Sequence, residues 1–232
     1  MAYKGLDKQK HRRIMVELLV EIEKMIGDKL AFKGGTMAML FYDLPRFSRD
    51  LDFDILKDIT DEEKEKIKKM IHEQGRLKDF KDKNYTLFYL LSYDEGGSNI
   101  KLEFNRRVSK YNTYNIEHFY GVPIKITDQP TSFSHKLLAL TQRNNPVSRD
   151  LFDVNFYLQQ DFKLKEEIIK EKAGLKIEEY IPRAIDFIKD TFSKKNILHG
   201  LGELIDEDQK EWIKEELKEE TIFLLKNYLK QI

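Results

Sequence analysis

Cysteine is absent from the 232-residue chain, which excludes a disulfide framework, thiolate zinc sites and cysteine nucleophiles together. Any metal must then be held mainly by oxygen. No run of about 18 apolar residues is present that could span a bilayer. The start, Met1 to Gly5, lacks the apolar core and small-residue cleavage site of a secretory signal. A cytoplasmic location without a membrane partner is the expectation. Neither sign of charge is in excess, since 41 Lys plus Arg balance 41 Asp plus Glu, so no global field draws nucleic acid in. The five histidines, His11, His72, His118, His135 and His199, show no metal-ligand spacing. The aromatic residues stand mostly at core spacing rather than as a base-stacking platform. No internal repeat or low-complexity tract is visible.

What is present suffices for a core, because 41% of residues are hydrophobic, and one or two compact domains are expected. The opening stretch reads as a helix ending near Gly27, with Ile14, Leu18, Leu19, Ile22 and Met25-Ile26 at helical spacing. Leu30-Ala31-Phe32, then Lys33-Gly34-Gly35-Thr36, then the apolar stretch Met37 to Tyr42 read as strand, glycine turn and helix. From Asp50 to Ile55 acids and apolar residues alternate strictly, the period of a strand. Thr60 to His72 reads as an amphipathic helix with Thr60 and Glu63 forming a capping box. Strands are expected at Tyr85–Leu91 and Ile100–Phe104, joined as a hairpin across Asp94-Glu95-Gly96-Gly97, and at Val122–Ile126.

Beyond Pro130 every apolar stripe has helical period: Leu137–Leu140, Leu151–Leu158, Ile168-Ile169, Ile181–Ile188, Leu201–Ile205 and Trp212–Leu229. The expected division is an α/β half, residues 1–130, followed by an all-α helical half, residues 131–232. Gly200-Leu201-Gly202 reads as a helix boundary.

Several residues could carry chemistry. Same-face residues of a strand lie about 6.6 Å apart, so Asp50 and Asp52 can flank two magnesium ions roughly 3.5 to 4 Å apart. A fully solvated acidic face is the alternative. Gly34-Gly35-Thr36 stands between a strand and a helix, where exposed N–H groups favour an anion; a tight turn with Thr36 as N-cap explains it equally well. The segment does not match the Walker pattern. Glu103 falls on the polar side of its strand with Lys101 and Asn105, either as a third carboxylate or as a surface acid paired with Lys101 or Arg106. Ser132 or Ser134 can cap a helix carrying Lys136 and Arg143, and Lys136 is either a phosphate ligand or a solvated lysine. Asp150 and Asp153 share a helix face, with Asp150 as N-cap the structural alternative. Basic residues gather near the N-terminus (Lys4, Lys8, Lys10, Arg12, Arg13), at Arg46 and Arg49, and at Arg106, Arg107 and Lys110, while the C-terminal stretch is acidic.

The order of glycine turn, Asp-x-Asp strand and later acid resembles the DNA polymerase β-like nucleotidyltransferase superfamily. More narrowly, Phe32-Lys33-Gly34-Gly35-Thr36, Leu44-Pro45-Arg46-Phe47-Ser48-Arg49-Asp50-Leu51-Asp52-Phe53 and Arg149-Asp150-Leu151-Phe152-Asp153 resemble the AbiEii/AbiGii toxin family from about Leu30 to Leu158. A weaker echo lies at Leu198-His199-Gly200-Leu201-Gly202-Glu203-Leu204.

The resemblance implies a mixed-sheet nucleotidyltransferase core and a helical domain contributing to the active-site cleft. It places Gly35 and Thr36 at the triphosphate of an NTP (a role the glycine turn extends to Gly34), Asp50 and Asp52 on Mg2+, Glu103 where the superfamily commonly has aspartate, Lys136 on the nucleotide phosphates, and Asp150 and Asp153 in the catalytic pocket. Asp54 is not carried over. Glu103 or Asp150 would be the base. The resemblance further implies a toxin controlled by a separately encoded antitoxin, with RNA, specifically the tRNA 3′ end, as acceptor. Arg46, Arg49, Arg106 and Arg107 are then candidates for RNA phosphate contacts. A nucleotide-binding sensor without transfer, and transfer to a protein or small molecule, are the competing readings.

Overall fold

The computed structural model describes residues 6–94 and 98–232. Lys4 and the rest of the first five residues, and Glu95 to Gly97 of the expected hairpin connection, lie outside the described residues. The chain divides into two compact units. The first comprises the chain up to Asp43, Phe47–Lys110 and Tyr114–Thr127, and the second comprises Leu44–Arg46, Tyr111–Thr113 and Asp128–Ile232.

The first unit begins with α1 (Lys8–Ile26), whose Asp7 accepts from Lys10 N as N-cap. Its buried stripe of Ile14, Met15, Leu18, Leu19, Ile22 and Ile26 joins the core. A short 3-10 turn at Gly27–Lys29 leads into β1 (Leu30–Lys33), α2 (Gly34–Phe41) and β2 (Leu51–Ile55). Then come α3 (Asp61–Gln74), β3 (Arg76–Lys83), β4 (Thr86–Ser92), β5 (Asn99–Asn105), β6 (Tyr114–Phe119) and β7 (Val122–Thr127). The capping box of Thr60 and Glu63 is present at the start of α3.

The strands form one seven-stranded sheet in the order β3-β4-β5-β2-β1-β7-β6. It is mixed, because β2 and β5 pair in parallel, as do β1 and β7, while the other neighbours are antiparallel. Alternation decides the two faces. Leu51, Phe53, Ile100, Leu102, Phe104, Leu87, Tyr89 and Leu91 enter the core cluster shared with α1 and α3. Phe53 stacks on Phe104 with centroids 5.0 Å apart. The intervening Asp52, Lys101, Glu103 and Lys33 stay on the opposite, polar face.

Two strands have no counterpart in the sequence-based expectation. Both are the sheet's edges, β3 and β6. An edge strand with little buried surface carries no alternation to recognise: β6 is mostly exposed, and β3 is charged along its length with a register shift between Leu77 and Asp79.

The second unit contains α4 (Gln129–Gln142), α5 (Ser148–Gln159), α6 (Glu166–Ala173), α7 (Ile177–Thr191), α8 (Glu207–Glu215) and α9 (Leu217–Gln231). Three local expectations change here. Asp128, not Ser132 or Ser134, caps α4 by accepting from Thr131 N at 3.0 Å, with Pro130 inside the first turn. Ser134 is buried and accepts from Lys165 N. The apolar residues Leu201–Ile205 lie in turns, and Trp212–Leu229 is two helices that meet at Glu216. Gly200 has φ +68° and a Cβ there would stand 3.1 Å from the Val147 side chain, so this turn needs glycine for backbone and space alike. No helix among the described residues is long and apolar enough to cross a membrane.

Candidate active site

The polar face of the sheet gathers three carboxylates by backbone register. Asp52 on β2 stands opposite Glu103 on the parallel strand β5, and Asp50 precedes β2 directly. Asp50 is fixed from two sides: Lys101 N donates to its Oδ1 at 3.3 Å, and Thr36 Oγ1 donates to its carbonyl oxygen at 2.5 Å. Lys101 Nζ lies 3.7 Å from Asp50 Oδ2, 3.9 Å from Asp52 Oδ1 and 3.3 Å from Glu103 Oε2. Three acids thus face one ammonium, and each side chain keeps about a third of its surface exposed: Asp50 33%, Asp52 29%, Glu103 39%.

Electrostatics follow from that crowding. Burial pushes the Asp52 carboxyl up, the Lys101 ammonium works against this, and the Asp50 and Glu103 charges raise it further. Burial lowers Lys101, but Asp52, Asp50 and Glu103 more than offset it, so its net shift is upward and it stays charged. Among the described residues no three His, Asp or Glu are drawn together as closely as ligands around an ion; these acids are held at ammonium distances. Carboxylate oxygens are the donors Mg2+ takes, so Asp50, Asp52 and Glu103 match in chemistry, though not in their present spacing, the ion that the family resemblance implies.

Beside this face, Gly34 begins α2 with φ +82°, and a Cβ there would lie 2.7 Å from Asp52 Oδ2. Gly34, Gly35 and Thr36 are the first helical residues, with Lys33 in the N-cap position and without a side-chain cap. Thr36 is therefore no N-cap; its hydroxyl is engaged by Asp50 O. The start of α2 offers backbone N–H groups and no competing side-chain acceptor of its own, the arrangement that suits an anion.

Asp54 has a different position. It is buried and accepts from Lys33 Nζ at 2.5 Å, Asn105 Nδ2 at 3.3 Å and Tyr114 Oη at 3.3 Å. It ties β1, β2, β5 and β6 together. One support of the site escaped the sequence reading. His11, fully buried in α1, bonds Arg49 O through Nε2 at 2.9 Å and Tyr93 Oη through Nδ1 at 2.7 Å. Burial pushes the imidazole down, so neutral His11 donates to the carbonyl of the residue before Asp50. Nothing about a lone histidine on an apolar stripe announces this. Lys101 was legible as a same-face neighbour of Glu103, two residues away.

The second unit holds its own charged cluster. Arg46 grips Asp153 with two bonds, Nε to Oδ1 at 2.5 Å and Nη2 to Oδ2 at 2.6 Å. Lys136 Nζ lies 2.9 Å from Asp153 Oδ2 and 3.1 Å from Asp150 Oδ1, and Arg143 Nε lies 2.7 Å from Asp150 Oδ2. Both aspartates are fully buried. Burial alone would raise Asp153, but the Arg46 and Lys136 cations pull it below the usual carboxylate range. Asp150 is the third residue of α5, with Val147 at the cap, so it is not an N-cap.

Arg46 is corrected as an RNA contact: it is 6% exposed and its guanidinium is spent on Asp153. Arg106 is largely committed too, to Asp82 at 2.8 Å and to Lys83 O. Arg107 stacks on Tyr85 with its guanidinium carbon 3.2 Å from the ring centroid.

A family model described as nucleotidyl transferase AbiEii toxin, type IV toxin–antitoxin system, matches residues 17–222. The chain belongs to the AbiEii nucleotidyltransferase toxin family. That membership makes an NTP its co-substrate and an antitoxin its partner. Two crystal structures share the AbiEii chain's fold. JHP933 from Helicobacter pylori is 23% identical, with a TM-score of 0.63 over 98% of this chain and 94% of that one. A candidate nucleotidyltransferase from H. pylori is 23% identical, with a TM-score of 0.65 over 98% and 97%. No curated protein matches.

Proposed function

We propose that this AbiEii toxin transfers a nucleoside monophosphate from an NTP to a hydroxyl of RNA, the tRNA 3′ end, in a Mg2+-dependent reaction at the polar face of the sheet. The observation that carries the reading is the convergence of Asp50, Asp52 and Glu103 within 4 Å of a single cationic group, Lys101 Nζ. Asp50 and Asp52, with Glu103 as the third carboxylate, would hold the metal. When bound, Mg2+ neutralises phosphate charge and lowers the pKa of a coordinated hydroxyl.

The chain's own groups supply the remainder. Backbone N–H groups at Gly34, Gly35 and Thr36 bind triphosphate oxygens. The absence of a Cβ at Gly34 lets that backbone lie against Asp52. Glu103, the most exposed of the three acids, accepts the proton of the acceptor hydroxyl as its oxygen attacks the α-phosphorus in line and pyrophosphate leaves. In the helical unit, Lys136 is proposed as a phosphate ligand. Asp150 and Asp153, engaged by Lys136, Arg143 and Arg46, are proposed to position it. The tRNA end as acceptor follows from the family resemblance.

Incubation with labelled NTP, Mg2+ and separate RNA, protein and small-molecule acceptors tests the reading. Label on tRNA that disappears in Asp52→Asn is the expected result. Label on protein or a small molecule would replace the acceptor, and saturable NTP binding with no transfer to any of them would make the protein a sensor.

A further inference from the structure

We propose that Lys101 is a built-in counter-cation that occupies the metal position of the resting enzyme and must be displaced for a divalent ion to bind, so that it sets the metal affinity. The inference rests on the metal-dependent reading of the carboxylate face and adds to it a competitor carried by the chain itself. Three observations support it. Lys101 Nζ reaches oxygens of all three acids, between 3.3 and 3.9 Å, and Lys101 and Glu103 share the polar face of β5 by strand alternation. Mg2+ takes oxygen ligands at about 2.1 Å, so an ion among the same oxygens would press against an ammonium held there, and like charges at that range repel strongly.

The second observation is that Lys101 acts on Asp50 in two separable ways. Its backbone N–H donates to Asp50 Oδ1 at 3.3 Å, whereas only the side chain supplies charge. A substitution at Lys101 removes the cation and leaves the backbone bond that positions Asp50. The third is exposure. The Lys101 side chain is 32% exposed, and a flexible four-carbon stem lets the head leave without backbone motion. The resting state is thereby spared the repulsion among three acids that face one another without a cation. Displacement costs the ammonium its three partners, and that cost is subtracted from the affinity for the ion.

The test is direct titration of Mn2+ without nucleotide, by calorimetry or by the loss of free-ion resonance, on wild type, Lys101→Gln, Lys101→Arg and Asp52→Asn. Lys101→Gln should bind Mn2+ more tightly, on the order of tenfold, and Lys101→Arg, which keeps the charge, should stay near wild type. Thermal unfolding gives a second readout: in chelator Lys101→Gln should melt below wild type, and Mg2+ should restore it. Equal or weaker Mn2+ binding by Lys101→Gln, with binding lost in Asp52→Asn, overturns the counter-cation role and leaves the proposed metal site standing. Absence of Mn2+ binding in wild type and Lys101→Gln alike removes the metal site itself, and the inference with it.

Discussion

The two charged clusters of this toxin use the same chemistry to opposite ends. On the sheet, three carboxylates share one ammonium and remain about a third exposed. In the helical unit, Asp150 and Asp153 are fully buried and meet Arg46, Lys136 and Arg143 at 2.5 to 3.1 Å. The first cluster has surplus negative charge that water or a further cation can reach. In the second, each acid meets two cations, and Asp150 Oδ2 is left without a hydrogen bond among the described residues. A buried acid left without a cation is costly, so the helical acids hold Lys136 in place with its charge matched, whereas the sheet cluster keeps surplus negative charge for a further cation.

Four measurements sharpen or break that contrast. The largest effect is expected on the sheet: Asp52→Asn should lower nucleotide transfer by roughly a thousandfold or more, about 4 kcal/mol of transition-state stabilisation, while its melting temperature stays within a few degrees of wild type. Loss of folding instead would make the acidic face architectural. In the helical unit the balance reverses. Arg46→Met should cost about 3–5 kcal/mol in denaturant unfolding, because Asp153 loses its bidentate partner while remaining buried. A cost under about 1 kcal/mol would show the cluster to be plastic.

Glu23 supplies the intermediate case, a buried acid with no hydrogen bond to either oxygen among the described residues. Burial pushes its carboxyl up to about 8, with Lys125 only partly opposing. A carboxyl raised in the folded state binds its proton more tightly folded than unfolded. Its contribution is therefore intact below its ordinary value near 4.5 and is lost as pH rises toward 8. Glu23→Gln should flatten that decline and stabilise the protein at pH 8 by about 2–4 kcal/mol, as read by unfolding at a series of pH values; unchanged pH dependence would contradict it. The smallest effect is expected at the exposed capping box, where Thr60→Ala should cost about 1 kcal/mol at any pH between 5 and 8.

How much of this was legible in the sequence varies with burial. The strands β2, β4, β5 and β7 announced themselves because one face of each is buried, and α1 and α3 because their apolar stripes are regular. The edge strands β3 and β6 did not, since the few side chains they pack against the core, Leu77, Phe80 and Phe119, are too sparse to set a period. Leu201, Leu204 and Ile205 misled for the reverse reason: they are apolar and buried, yet packed through turns. At the candidate site, spacing along one strand sufficed for Asp50 and Asp52. The pairing of Asp52 with Glu103 depends on a parallel neighbour 51 positions on, which no local pattern encodes. The destination of Arg46 was invisible for the same reason, because its partner Asp153 is 107 residues away.

The hydroxyl of Thr36 carries one more consequence. Because the Oγ1 proton is spent on the carbonyl of Asp50, the start of α2 would offer an anion main-chain N–H groups and no hydroxyl. Main chain recognises charge and shape common to every triphosphate, and is blind to the base above it. Discrimination among the four nucleotides therefore has to originate away from the glycine turn. A change at Thr36 should alter the placement of Asp50, and with it the rate for all four nucleotides together, without altering the order in which they are preferred.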